Sequence, residues 1–182
     1  MKKNPCTIIV VRHAQTDGNL QRRVFGNVEL PINEAGRTQA EGLRAVLSGR
    51  TVDVCVSSPM NRCLETAEIL WNGAILVDER LTERGYGEKE GASFDEVDYL
   101  RFWNLNNEIM YDGAEALTAI RARVEDFLRD MAESHAGKTV MVITHGSVAR
   151  TMRGVIAGQD FDGNYAVLPR VGNCEVLEFS VG

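Results

Sequence analysis

Short runs of consecutive apolar residues alternate along this chain with stretches whose apolar positions recur every three or four residues. Thr7-Ile8-Ile9-Val10-Val11, Val52 to Val56, Ala74 to Val77, Lys138 to Thr144 and Glu175 to Val181 read as strands, the last at or near a sheet edge. Between them lie helical patterns. Asn33-Glu34 opens one, with Ala40, Leu43 and Leu47 on one face and Gly49 as a stop. Ser58-Pro59 opens a second, the serine suiting the N-cap and the proline the first turn, with Leu64, Ala67, Ile69 and Leu70 running to Asn72-Gly73. Glu115 to Ser134 is the longest, with Leu117, Ile120, Val124, Phe127, Leu128 and Met131 in register, and Ser147 to Ala157 is the last. Residues 79–92, rich in Glu and Gly, read as an irregular loop, and 93–111 as a broken helix weighted with aromatics. Strands separated by helices predict an α/β fold: a mostly parallel central sheet with helices on both faces, three layers in all.

At 182 residues the chain fits one domain, 1–182, with 93–113 as an expected lid or specificity segment. Its 44% hydrophobic and 25% charged content is that of an ordinary globular protein. A net charge of −6 argues against a nucleic-acid partner, which wants a basic face. The apolar run after Pro5 is cut by Arg12, too short for a signal-peptide core, and no later run is long enough for a bilayer, so no membrane partner is expected. Cys6, Cys55, Cys63 and Cys174 show no Cys-x-x-Cys spacing and read as reduced thiols of a cytoplasmic protein, with no metal site. A monomer and a homodimer both remain open.

The chemistry lies at the strand ends. The chain has three histidines, and two of them directly follow strand-like runs: Arg12-His13-Ala14-Gln15-Thr16 after the first, Thr144-His145-Gly146 after the fourth. In an open α/β sheet, ligands bind beyond the carboxyl ends of the strands, so both imidazoles are expected to face one crevice. Arg12 beside His13, and Arg62 after another strand, point to a phosphate, because a guanidinium grips anionic oxygens in a fork and stays charged. A neutral imidazole can attack phosphorus and afterwards depart, leaving water to complete the cycle. The third histidine, His135, ends a helix and suits a structural role there. Cys63 follows Arg62 rather than preceding an arginine by five residues, so it is no phosphatase nucleophile.

These blocks resemble the histidine phosphatase superfamily, in its phosphoglycerate-mutase-like branch. The likeness runs through Arg12-His13-Ala14-Gln15-Thr16 with Asn19, Leu30-Pro31-Ile32-Asn33-Glu34-Ala35-Gly36 with Gln39-Ala40, Ser57-Ser58-Pro59-Met60-Asn61-Arg62-Cys63 with Thr66-Ala67, Leu81-Thr82-Glu83-Arg84-Gly85-Tyr86-Gly87 with Glu90-Gly91, and Thr144-His145-Gly146. The resemblance implies that His13 is the phosphorylated nucleophile. It implies a phosphate pocket of Arg12, Arg62, His145 and Gly146, with Asn19 a further contact. It implies Glu83 as the acid that protonates the leaving group. The residues alone do not choose among Glu79, Glu83, Glu88 and Glu90, and Asn19 reads equally as a turn residue. Ala14 stands where the family usually has glycine, which matters only if the backbone there needs a positive φ.

The expected function is metal-independent and cofactor-free hydrolysis of a small-molecule phosphomonoester, with Arg12, Arg62 and a protonated His145 supplying positive charge. The alternatives are a phosphoglycerate-type mutase and a phospho-ligand binding module with weak catalysis. A short stretch between Glu83 and His145 favours hydrolysis over a mutase, which must exclude water. Phosphohistidine protein phosphatases generally lack the leaving-group acid. Asp95, Asp98, Phe94, Tyr99, Phe102, Trp103 and Tyr111 in the lid segment favour a sugar, nucleoside or other polar ring over a highly anionic substrate. Tyr86 is expected either against the substrate or under the loop, and Ser147 as a cap whose N–H faces the anion.

Overall fold

The computed structural model describes residues 4–156 and 163–182. Five strands form one sheet: β1 (Cys6–Arg12), β2 (Val54–Ser57), β3 (Ile75–Val77), β4 (Thr139–Thr144) and β5 (Val176–Val181). Their order is β3-β2-β4-β1-β5, all parallel except β5, which runs antiparallel to β1 at the edge. The α-helices are α1 (Asp17–Leu20), α2 (Glu34–Leu47), α3 (Asn61–Leu70), α4 (Tyr99–Phe102), α5 (Leu117–Ser134) and α6 (Gly146–Ile156). The three-layer α/β reading of the sequence is what the structure has, and strand bounds differ from expectation by a residue or two. Ala157, the expected end of the last helix, lies outside the described residues.

Strand alternation builds the layers. On β1, Ile8 and Val10 point to one face and Ile9 and Val11 to the other; on β4, Val140 and Val142 oppose Met141 and Ile143 in the same way. The first face is covered by Leu117, Ile120, Val124 and Phe127 of α5 with Val148 and Met152 of α6. The second is covered by Cys63 and Ala67 of α3 with Leu43 and Leu47 of α2. Every one of these strand residues is buried, which is why the runs read as continuously apolar.

Helix starts follow local chemistry, with one exception. Asn33 caps α2, its Oδ1 accepting from the Gly36 N–H at 2.8 Å. Gly36 has no room for a side chain: a Cβ there would stand 2.3 Å from the Gln15 carbonyl, so α2 lies directly against the loop carrying His13. Ser58 does not cap the next helix. That helix, α3, starts two residues beyond Pro59, with Met60 at its N-cap and no side-chain cap bond. Ser58 Oγ is instead 2.8 Å from His145 Nε2. The 79–92 loop contains short 3-10 turns at Glu79–Leu81 and Gly87–Lys89, and a third, Phe94–Glu96, precedes α4.

Candidate active site

The β1–β4 register brings the two histidines together. Arg12 pairs with Thr144, so His13 and His145 are the first residues past two adjacent strand ends. The His13 N–H donates to the Thr144 carbonyl at 2.8 Å, and the two rings meet edge to face with centroids 5.2 Å apart. They sit where the sheet order reverses, the position at which α/β sheets open a crevice. A cleft opens there, and Arg12, His13, Asn19, Arg62, Glu83, Gly146 and Ser147 line it.

His13 Nδ1 lies 2.8 Å from the Ala14 carbonyl. A carbonyl only accepts, so Nδ1 carries the hydrogen and Nε2 keeps its lone pair. Burial, then Arg12 and Arg62, hold His13 well below the ordinary imidazole range. It is a neutral base with a free lone pair on a cleft wall. Ala14 is fully buried beside Ile32 and Ala40, its backbone φ is not positive, and its N–H donates to Thr66 Oγ1 at 3.0 Å, so the methyl fits.

The arginines carry the positive charge. Arg12 Nη1 donates to the Val171 carbonyl at 2.6 Å, while its Nε is buried without a partner among the described residues. Arg62 is held at three corners: Nη1 to the Val28 carbonyl at 2.9 Å, Nη2 to the Gly26 carbonyl at 2.8 Å, and Nε to His145 Nδ1 at 3.2 Å. Neither has a carboxylate partner among the described residues.

His145 departs from expectation. It is fully buried behind His13 and Arg62 rather than on the cleft wall. Its Nδ1 accepts from Arg62, so its hydrogen is on Nε2, which donates to Ser58 Oγ. Burial, then Arg62, His13 and Arg12, hold it well below the ordinary imidazole range. The expectation of a protonated His145 is therefore corrected: the ring is fully buried, its Nδ1 already accepts from Arg62, and the guanidinium groups of Arg62 and Arg12 further oppose a positive charge there. Cys63 Sγ lies 3.4 Å from its Nε2. Burial pushes the Cys63 thiol far up, so it is no thiolate.

The structure also chooses among the acids. Glu79 and Glu88 are exposed and away from the cleft. Glu90 is a structural clamp, accepting from the N–H groups of Gly26 at 2.6 Å and Tyr86 at 2.8 Å. Glu83 reaches the cleft, its carboxylate accepting from the Ser147 N–H at 3.2 Å at the start of α6 and from the Arg84 N–H at 2.9 Å. The Ser147 N–H thus faces a carboxylate of the protein itself, a position the helix N-terminus favours. Asn19 holds the turn, its Oδ1 accepting from the Thr16 N–H at 3.1 Å and from Asn173 Nδ2 at 3.0 Å, and the residue also lines the cleft. Tyr86 lines the cleft as well, within hydrogen-bonding reach of Ser147 and Tyr99. His135 caps the end of α5, a structural position.

The cleft wall beside residues 93–113 is more cationic than the composition of that segment suggests. Asp95 and Asp98 are exposed, with Asp98 capping α4, and neither lines the cleft. Phe94, Tyr99 and Trp103 do, together with Arg23, Arg150 and Arg170. The expectation that Asp95 and Asp98 disfavour anionic substrates loses its premise: both are exposed and away from the cleft, and arginines from other segments line the wall. Arg150 had a sequence signal, its spacing of four from Gly146 on a predicted helix. Arg170 and Ser58 had none, since only long-range packing brings them here. Among the described residues, no group of three or more His, Cys, Asp or Glu side chains is arranged to hold a metal ion.

Known proteins resemble this chain in sequence and in fold. Phosphoserine phosphatase 1 of Hydrogenobacter thermophilus is 31% identical over 163 residues, spanning 84% of this chain and 77% of that protein. Phosphoglycerate mutase-like protein 4 of Arabidopsis thaliana is 30% identical over 157 residues, 80% of this chain and 68% of that one. The solved structure of YhfR from Bacillus stearothermophilus superposes with a TM-score of 0.84 at 28% identity, covering 95% of this chain and 90% of that chain. The sequence profile of the histidine phosphatase superfamily (branch 1) matches residues 8–181, and the chain belongs to that superfamily.

Proposed function

We propose that this protein is a metal-independent phosphatase that hydrolyses a small phosphomonoester through a phosphohistidine on His13. One observation carries the reading: a neutral His13, with Nδ1–H held by a backbone carbonyl and Nε2 free, shares a cleft with two carboxylate-free arginines and one carboxyl group, Glu83. In the first step His13 Nε2 attacks phosphorus. The N–P bond forms, the P–O ester bond breaks, and Glu83 gives its proton to the departing alkoxide. In the second step water attacks the phosphohistidine, Glu83 takes a proton from that water, and the N–P bond breaks to release phosphate and restore neutral His13. Arg12 and Arg62 stabilise the charge on the non-bridging oxygens that a metal ion stabilises in other phosphoryl-transfer enzymes. His145 acts as a positioning residue, accepting from Arg62 Nε; a phosphate dianion in the pocket offsets the arginines that keep it neutral. Segment 93–113 sets which leaving group fits. Four free thiols support a reducing, cytoplasmic setting.

Rapid quenching with labelled substrate tests this. An acid-labile, base-stable phosphoenzyme is expected in the wild type and none in His13→Gln. A wild-type protein that turns over with no trapped label would exclude the covalent route. Activity is expected to survive exhaustive chelation. Phosphoglycerate mutase activity measured alongside separates the two outcomes of a shared first step: phosphate release is expected to dominate.

A further inference from the structure

Arg150 is a largely buried cation on the cleft that forms no ion pair among the described residues. It lies on α6, is 7% exposed, and holds its guanidinium carbon 4.9 Å over the Trp103 ring. Among the described residues no carboxylate is in ion-pair range of it. Its stem is packed away but the residue lines the cleft, so the guanidinium presents its charge to whatever occupies that space. Burial depresses its pKa, with Arg170 opposing its charge further. Arg170, exposed at the cleft edge, holds its guanidinium carbon 4.7 Å over the Tyr99 ring and 5.4 Å over Phe94. Both arginines line the same cleft as His13, and Tyr86 and Tyr99 add hydroxyls between them.

Position says which part of a ligand they meet. Arg150 follows Gly146 by four residues, so it lies on the same side of α6, about 6 Å further along the axis. Glu83 sits at the helix start, on the leaving-group side of the phosphate pocket. The half of the substrate that departs therefore extends from Glu83 toward Arg150 and Arg170. The cleft charge agrees: five arginines face it against one carboxylate, and Arg12 and Arg62 already match one phosphate dianion.

We propose that Arg150 and Arg170 form a second anion subsite, and that the substrate is a small phosphomonoester whose leaving-group half carries a second anionic group, a carboxylate or another phosphate. The proposal rests on the phosphatase reading above and names the substrate class for that site.

Three compounds that share a three-carbon frame test it: 3-phosphoglycerate, glycerol 1,3-bisphosphate and glycerol 3-phosphate, which place a carboxylate, a phosphate and a hydroxyl at the same end. The wild type is expected to favour at least one of the first two over glycerol 3-phosphate by about tenfold or more in kcat/KM, the size of one charge-assisted hydrogen bond. Whichever of the two leads identifies the anion. Arg150→Met, which keeps the stem on Trp103, is expected to bring that ratio close to one, and Arg170→Met to lower it. A wild-type ratio near one, or a ratio unchanged in both variants, overturns the subsite. Arg170 is exposed, so its variant gives a reading even if Arg150→Met folds poorly. Calorimetric binding of the same three compounds to His13→Gln separates the two proposals. If nothing is hydrolysed the phosphatase reading fails, while the order of Kd values still decides the subsite.

Discussion

Two buried arginines flank Trp103, and their surroundings differ completely. Arg84 and Arg150 each place a guanidinium carbon 4.9 Å from the same indole ring. Arg84, fully buried, is saturated: Nε donates to the Glu115 carbonyl at 2.9 Å, Nη1 to the Phe102 carbonyl at 2.7 Å and Nη2 to the Glu108 carboxylate at 2.5 Å, with Phe102 stacked 3.5 Å away. Arg150 has the stacking and, among the described residues, none of the ion pairing. The same division separates the rest of the molecule. Arg80 bridges Asp78, Asp126 and Asp130, tying the end of β3 to α5, and Arg123 pairs with Glu115. Arg12, Arg62 and Arg170, on the cleft, pair with no carboxylate among the described residues. Paired arginines hold the chain in shape, whereas those left unpaired supply a field for a ligand. The comparison predicts that changes on the cleft side damage turnover more than folding, and changes on the Arg84 side damage folding first.

The largest effect on turnover belongs to His13. His13→Gln keeps most of the volume and removes the nucleophile, and a loss of about 10⁴ or more in kcat is expected. Its melting temperature should fall less than that of an Arg84 variant measured alongside. A His13→Gln protein with substantial activity would show that the cleft hosts different chemistry.

Glu83 comes next. Glu83→Gln cannot give the leaving oxygen a proton, and a loss of about 10² to 10⁴ is expected on alkyl phosphates. The loss on p-nitrophenyl phosphate, whose leaving group is already a stable anion, is expected to be much smaller. Equal losses on both would make Glu83 an organiser of the α6 start, where it accepts from Ser147, rather than the proton donor.

These two residues were read from the sequence with different success, for physical reasons. The β1 and β4 runs are buried on both faces, so they appear as apolar stretches and place His13 and His145 at strand ends without further help. Glu83 lies in a loop with no period, and only the family resemblance separated it from Glu79, Glu88 and Glu90. What Ser58 does was hidden, because a serine before a proline is a good helix cap in isolation and only the fold brings it to His145. His145's neutrality was hidden too, since it depends on complete burial and then on two arginines remote in sequence. Asp95 and Asp98 misled because composition does not say which way a side chain points.

On the paired side, Arg84→Met leaves the Glu108 carboxylate, largely buried, with the Leu117 N–H at 2.7 Å as its remaining partner among the described residues. Removing one partner of a buried ion pair typically costs about 3–5 kcal/mol, and denaturant unfolding is expected to show a loss of that order. Adding Glu108→Gln should recover part of it, because the two effects are coupled through one contact. Turnover per folded molecule should change little by comparison. A large loss of turnover without a loss of stability would erase the distinction between the two sides of Trp103.

The smallest effect expected is a pH dependence of stability that originates on the cleft side. His13 and His145 are both held well below the ordinary value of 6.5, by burial first and then by the unpaired arginines. As pH falls below 6.5 the unfolded chain binds protons at these positions and the folded protein does not. Stability is therefore lost on acidification, by at most about 1.4 kcal/mol per pH unit for each histidine. Neutral at both ends of the comparison, the two histidines contribute no such slope above pH 7.5. His145→Gln should flatten the profile of unfolding free energy between pH 6.5 and the carboxylate range by up to half. Equal slopes in the wild type and the variant would mean that His145 takes up a proton in the folded state, and that the guanidinium groups of Arg12 and Arg62 oppose it less than their placement requires.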